Sequence, residues 1–435
     1  MSDHADVPPA PTLFDWEFAT DPYPAYEWLR EHAPVYRTTV PSGVEAWLVT
    51  RYAEAREALA DGRLSKNPVH HAETSGARGK TGIPGERGAD LMTHLLNIDP
   101  PDHTRLRRLV SKAFTPRRVA EFAPRVRELT DRFVDGMQRD GTGRADLIHE
   151  FAFPLPIYAI CDLLGVPAED QDDFRDWAGM MMRHVKPGQA GGPRGGVARA
   201  VRRIRAYLVE LIDRKRAALG EESAADDLIS GLIRASDHGE HLTANEAAAM
   251  CFVLLFAGFE TTVNLIGNGA YTLFRHPEQR AALQQALARG DHALLDTAVE
   301  ELLRYDGPVE LATWRYATSP LTIGGRPIAA GDPVLVVLAA ADRDPARFDA
   351  PDTVDLARRD NPHLGYGHGI HYCLGAPLAR LEARTAFATL LTRLPDLRLA
   401  VDPAELRWRG GLIMRGLRTL PVAFTPDTAT AAQGR

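Results

Sequence analysis

Cysteine is scarce in this chain: Cys161, Cys251 and Cys373 are the only three among 435 residues. An odd number that small builds no disulfide framework, and it fits a reducing, cytoplasmic compartment. Basic excess is also missing. The formal net charge is −7, with acidic and basic residues interspersed, which excludes the global basic footprint of a nucleic-acid binder. No strongly apolar run reaches the ~20 residues of a membrane span. The longest, residues 247–258, reads as a buried helix, and no membrane attachment is expected. The first fifteen residues carry Asp3, His4, Asp6 and Asp15 and no apolar core, so no secretory signal is expected. Internal repeats and domain linkers are lacking as well. Residues 186–196 are glycine-rich, but the stretch is short and flanked by helical patterns, as in a loop inside one domain. The expectation is a flexible N-terminus over 1–10, one domain over 11–425 and a disordered tail over 426–435.

What is present is a large apolar fraction, 45%, mostly in helical spacing. Segments 22–32, 51–60, 102–113, 116–138, 168–184, 198–219, 243–275, 277–289, 291–305 and 376–393 read as helices. Strand signals are fewer: 46–50, a hairpin over 321–328 turning at Gly324-Gly325, and 333–338. Strands thus cluster near the N-terminus and after residue 310, around a long helical middle. This is an α+β class, predominantly α. Thr243 and Glu246 form a capping box and His276-Pro277 a stop. The helix between them is predicted at ~33 residues, or roughly 50 Å, and is apolar all round over 247–259, as befits a helix crossing an interior.

Two cysteines, in IYAICDLLG and AAMCFVLLF, read as small buried hydrophobes. Cys373 differs. Gly365, Gly367 and Gly369 precede it at alternate positions, Gly375 follows, and a helix is expected to begin near Leu374. Glycine at that density suits a backbone in close approach to a ligand. A thiolate beside a helix N-terminus gains from the dipole and the free N–H groups. Zinc is a poor fit, because no second cysteine lies at a ligand spacing. The run Tyr366-Gly367-His368-Gly369-Ile370-His371-Tyr372-Cys373-Leu374-Gly375 resembles the haem-binding loop of cytochromes P450, Phe-Gly-x-Gly-x-His-x-Cys-x-Gly, and matches five of its six specified positions. Tyr366 departs from the usual phenylalanine. The resemblance implies the P450 fold, one α-rich domain with a small β-rich lobe, and haem b held by Cys373 as axial iron ligand, whose thiolate favours O–O scission.

Midway along the long helix stands Ala257-Gly258-Phe259-Glu260-Thr261-Thr262. Gly258, Thr261 and Thr262 share a face by i, i+3, i+4 spacing, and Glu260 is an ionisable group inside an apolar helix, expensive without a partner or a role. The segment resembles the P450 pattern Ala-Gly-x-(Asp/Glu)-Thr. By that resemblance Ala257 and Gly258 lie against the haem, while Glu260 and Thr261 form the acid–alcohol pair that delivers protons during dioxygen activation. Three further groups gain meaning from the family. Glu301 and Arg304, at i, i+3, fall near the polar side of a helical wheel and alone suggest an exposed pair; in P450s such a pair is buried, and Arg358 is expected to complete it. His103 and Arg107 share one face of the helix from Asp102, and the resemblance assigns them, with Arg315 and His371, to the haem propionates. The basic run Arg105, Arg108, Lys112, Arg117 and Arg118 is a candidate docking face for an acidic ferredoxin.

The resemblance extends from Asp21-Pro22-Tyr23-Pro24 through Arg63-Leu64-Ser65 and Ala341-Asp342-Arg343-Asp344-Pro345 to Met414-Arg415-Gly416-Leu417, and looks like the actinobacterial group of macrolide and polyketide hydroxylases. It implies insertion of one atom of O2 into a C–H bond, by hydroxylation or epoxidation, of a bulky apolar small molecule. Electrons would come from NADPH through ferredoxin reductase and ferredoxin, with no fused flavin domain, in a monomer. Substrate contacts are expected from 67–97, 180–197 as a lid, 253–261, 309–313 and 413–414, with Met181, Val253, Phe256, Val309, Leu311, Ile413 and Met414 as named candidates. Two other readings stand beside this one: a peroxygenase driven by hydrogen peroxide, which would not need Glu260-Thr261, and a haem-containing partner protein without oxygenase activity.

Overall fold

The computed structural model describes residues 9–68, 94–111, 114–182, 194–218, 227–237 and 242–427. Its axis is the helix Ala244–Arg275, whose Thr243 side chain accepts from the Glu246 amide while the Glu246 carboxylate accepts from the Thr243 amide, the capping box read from the sequence. Helices Pro154–Leu164, Arg194–Ala218, Ala293–Asp306 and Ala376–Arg393 all pack against it. By length and composition Asn245–Arg275 would pass for a membrane span. Its polar residues Thr262, Asn264, Asn268 and Thr272 are instead buried inside the protein, which marks a core helix.

The sheet lobe joins the two ends of the chain. Strands Val35–Thr39, Glu45–Val49, Pro333–Val336, Arg315–Ala317 and Leu64–Ser65 lie side by side in that order, with a parallel register of Trp47 on Val334 and Val49 on Val336. The hairpin Leu321–Ile323/Arg326–Ile328 turns at Gly324 and Gly325, both at positive φ, as expected for a two-residue turn. Several elements lie outside the sequence reading, the helix Leu228–Asp237 and the strands Val35–Thr39 and Arg315–Ala317 among them, and two others show why. Pro154–Leu164 is a helix buried everywhere except Asp162 and Leu163, so it has no polar face to create a helical period, and its two prolines sit in the first turn, where they are tolerated. Arg144–Asp146 pairs with Pro421–Ala423, placing a strand in the helical middle; at three residues it is too short to show alternation. The predicted helix over 168–184 begins with a 3-10 turn and becomes α-helical only at Gln171–Met182.

Glu301 and Arg304 are fully buried, not exposed. The helical wheel misplaces them because residues 342–361, without regular structure of their own for most of their length, wrap over that face. Arg304 meets Glu301 through two bonds of 2.8 Å and donates to the carbonyls of Asp342, Pro351 and Thr353. Arg358 Nε reaches Glu301 at 3.0 Å, and Asn361 and the Asp355 amide fill the remaining acceptor capacity. Breaking one member leaves the others charged and buried, so Glu301→Ala is expected to cost about 3–5 kcal/mol in denaturant unfolding. A loss under about 1 kcal/mol, the range of exposed pairs, would show that the network is not load sharing.

Candidate active site

The cysteine loop hangs from that network: the Leu364 amide donates to Asp342 Oδ1 at 2.6 Å. Gly367 and Gly369 stand at φ +74° and +73°, a region L side chains avoid, and a Cβ at Gly369 would come within 3.0 Å of the Leu59 carbonyl. The loop closes with the Cys373 amide on the Tyr366 carbonyl at 2.8 Å. The helix expected near Leu374 starts two residues later, at Ala376 with Gly375 as its cap. Cys373 is exposed although protein surrounds it at slightly longer range, the signature of a group facing a cleft. Burial pushes its thiol up, while the amides of Gly375 and Ala376 and the charges of Arg107 and Arg380 pull it down. Cys161 and Cys251 are sealed in the core, with Cys251 pushed up to about 12 by burial. The Tyr366 hydroxyl is buried without a partner; its ring lies 4.4 Å from the Arg380 guanidinium, which in turn clamps Glu300 with two bonds of 2.7 Å.

The long helix opens one stripe of its surface. Val253, Phe256, Ala257, Glu260 and Thr261 follow i, i+3, i+4, i+7, i+8. Val253 is 7% exposed, Phe256 39% and Ala257 exposed, while Glu260 and Thr261 are half-buried. Thr261 Oγ1 donates to the Ala257 carbonyl at 2.8 Å. Thr262 faces inward, 2% exposed and bonded to the Gly258 carbonyl and the Glu382 carboxyl, so of the two adjacent threonines Thr261 is on the open stripe. A Cβ at Gly258 would meet Ile160 at 3.5 Å, so its bare side faces a neighbouring helix; Ala257 is the small residue on the open side. Burial raises the Glu260 carboxyl, and its opposing charge is Arg409.

Basic groups converge nearby with little to balance them. The His103 and His371 rings lie against each other, tilted by 53°, with centroids 4.3 Å apart. Burial, then the charges of Lys66, His103, Arg315 and Arg107, push His371 down to about 2. Arg315, 4% exposed, is pushed down to about 10 by burial, with Asp99 as its counter-charge. Arg107 donates to the Tyr372 carbonyl at 2.7 Å. Lys66 was not anticipated: fully buried, it donates to the Thr313 and Trp314 carbonyls at 2.9 and 2.8 Å, and nothing in its local sequence signals a role. Asp99 accepts from Ser65 and the Lys66 amide. His103 Nε2 and Arg315 Nε are buried without partners. Unpaired buried cations are expensive, and the cluster suits an apolar ligand carrying carboxylates. Haem, with two propionates and a thiolate-binding iron, fits these residues.

The remaining candidates divide. Val309 bridges Met414, and the Glu310 amide donates to the Ile413 carbonyl at 2.8 Å, so these two segments form one wall. Leu311 leaves the set: it is 1% exposed and belongs to the N-terminal core with Phe18 and Tyr26, whereas Val309 and Ala312 stay half-buried against a different cluster. The Met181 side chain, Lys112 and most of the loops 67–97 and 180–197 lie outside the described residues. In the basic run, Arg105 pairs with Glu246 and Arg117 with Glu121, which neutralises part of the patch. Sequence reasoning also missed Arg409 and Glu382, the latter 1% exposed and pushed up to about 8 by burial.

The comparisons agree with one another. The family model described as Cytochrome P450 matches residues 192–396. Cytochrome P450 monooxygenase PikC of Streptomyces venezuelae is 48% identical over 94% of this chain and 92% of its own length. The 6-deoxyerythronolide B hydroxylase of Saccharopolyspora erythraea is 40% identical over 95% and 98%. The tirandamycin C-bound P450 monooxygenase TamI superposes with TM-score 0.81 at 42% identity, covering 94% and 99% of the two chains. If the cation cluster is an anion cradle, Arg315→Met will raise the melting temperature of haem-free protein and speed haem loss from the holoprotein to apomyoglobin. A lowered melting temperature with the rate of haem loss unchanged would mean that Arg315 serves the fold alone.

Proposed function

This chain belongs to the cytochrome P450 family and is a monooxygenase, and we propose that it oxidises a bulky apolar natural product of the macrolide or polyketide class by inserting one oxygen atom at a C–H bond. The reading of the site rests on one observation: a cysteine open to a cleft, on a loop beside a buried cluster of cations short of counter-charge. Cys373 Sγ would ligate the haem iron, and His103, Arg107, Arg315 and His371, with Lys66 behind them, would hold the propionates. Haem, when bound, supplies dioxygen activation. The chain's own residues manage protons and shape. Burial raises the Glu260 carboxyl above its ordinary range, which favours its holding a proton, and Thr261 Oγ1 is the neighbouring hydroxyl that passes the proton on. Phe256 and the wall carrying Val309, Ile413 and Met414 would exclude water and orient an apolar substrate.

Electrons would arrive from NADPH through ferredoxin reductase and ferredoxin, docking near the exposed members of the basic run. A single domain over 11–425, monomeric and cytoplasmic, accords with three cysteines none of which pairs with another. The test is spectroscopic and kinetic. Reduced protein under carbon monoxide should show the red-shifted Soret band of an anionic sulfur ligand, and Cys373→Ala should lose it. With 6-deoxyerythronolide B or another macrolactone, Thr261→Ala and Glu260→Gln should lower product per NADPH by roughly 10²-fold, the scale of a lost acid–base group, with peroxide released instead. Full-rate turnover on hydrogen peroxide alone, unaffected by either substitution, would overturn the proton-relay reading.

A further inference from the structure

Beneath the wall of the cleft lies a buried polar cluster that the reaction does not use. Asp306, Glu310 and Arg415 are 6%, 6% and 5% exposed. Arg415 Nε donates to Asp306 at 2.7 Å, and its two terminal nitrogens donate to the Ala19 and Thr20 carbonyls. Tyr26 Oη donates to Glu310 at 2.7 Å and Tyr23 Oη to Asp306 at 2.7 Å. The backbone repeats the pattern. The Arg415 amide donates to the Pro308 carbonyl at 3.0 Å, and the Glu310 amide to Ile413. The long helix joins in as well: Asn268 donates to the carbonyls of both Asp306 and Arg415 at 3.2 Å. At Gly416 a Cβ would fall 2.1 Å from Asn264, so that backbone lies hard against the helix one turn beyond Thr261.

We infer that Glu310 and Arg415 are positioning residues for substrate selection: they set the register between the two wall segments carrying Val309 and Met414 and the helix carrying Glu260 and Thr261. The inference rests on reading those segments as the substrate wall. The side chains of this cluster point away from the cleft, so they act through the backbone they hold. A carboxylate, a guanidinium and a second carboxylate compete in a desolvated space, which makes the arrangement sensitive to the charge of any one member. Glu310 is the member that titrates. Burial pushes it up to about 7, opposed by Arg415 and Tyr26 and reinforced by Asp306. Those three groups face it from the segment 413–416, the helix Tyr23–His32 and the end of Ala293–Asp306, whereas the long helix presents the uncharged Asn268. Below the titration Glu310 is neutral and leaves Arg415 to Asp306; above it, the two carboxylates share Arg415.

The experiment uses haem-loaded protein and two probes followed by the Soret shift. Imidazole ligates iron without needing a wall, and clotrimazole, an imidazole bearing three aryl groups, needs one. Glu310→Gln should leave imidazole affinity unchanged and alter clotrimazole affinity by about fivefold or more above pH 7. At pH 5.5 it should approach the wild type, which is itself mostly neutral at that position so far below the titration. Tyr26→Phe, a milder change, should give a smaller shift in the same ratio. Met414→Ala is the control for the wall. If it leaves the clotrimazole-to-imidazole ratio untouched, the wall reading fails. If it moves the ratio while Glu310→Gln and Tyr26→Phe do not, at either pH, the positioning role is overturned.

Discussion

The Glu301 carboxylate, shared by Arg304 and Arg358, is the interaction on which the arrangement of the site depends. Between residues 342 and 361 there is little backbone pairing of the regular kind, so the segment has to be held by side chains. Arg304 does this with three carbonyls and Arg358 with more. In a desolvated setting such bonds are strong only if every charge is satisfied, and the Glu301 oxygens accept from two guanidiniums, an asparagine and a backbone amide. Asp342, the carboxylate that receives the Leu364 amide, belongs to the same buried region and is pushed up to about 7 by burial. The cysteine loop is therefore suspended from a rigid knot, and the precision of the cysteine's position follows from the completeness of the knot.

A second imbalance lies across the cleft. Lys66, Arg107 and Arg315 crowd their positive charges together, burial and those charges push His371 toward its neutral form, burial and the charge of Arg107 push His103 the same way, and Asp99 is the carboxylate among them. The fold tolerates this because burial there is not final: a ligand that brings negative charge restores the balance, and its binding free energy adds to stability by mass action. The molecule is thus over-satisfied on one side of the cysteine loop and under-satisfied on the other. Structural groups and ligand-binding groups differ in that respect, although both are buried and charged.

Much of the chemistry was readable from local sequence. Alternate glycines marked the Cys373 loop, the Thr243–Glu246 box marked the start of the long helix, and the i, i+4 spacing of His103 and Arg107 marked a basic face. Where the reading failed, the cause was physical. Pro154–Leu164 carries no polar stripe because all its sides are covered. Leu311 was taken for a wall residue, but its side chain is buried in the N-terminal core, against residues far away in sequence. For Glu301 and Arg304 a wheel alone suggested exposure, because a wheel contains only one helix; the family resemblance implied the buried pair with Arg358 that the covering segment produces.

Sequence alone determined which groups exist at short spacing: one cysteine in a glycine-rich loop, an acid beside a threonine inside an apolar helix, and the helical backbone that supports them. These are decided within one or two turns of chain, where propensity and capping act. Tertiary structure decided which of two threonines faces the cleft, that Lys66 joins the cations, that Arg409 answers Glu260, and that Glu310 meets Tyr26 across a separation of 284 residues. Desolvation and charge pairing depend on neighbours in space, and only the folded chain brings those neighbours together.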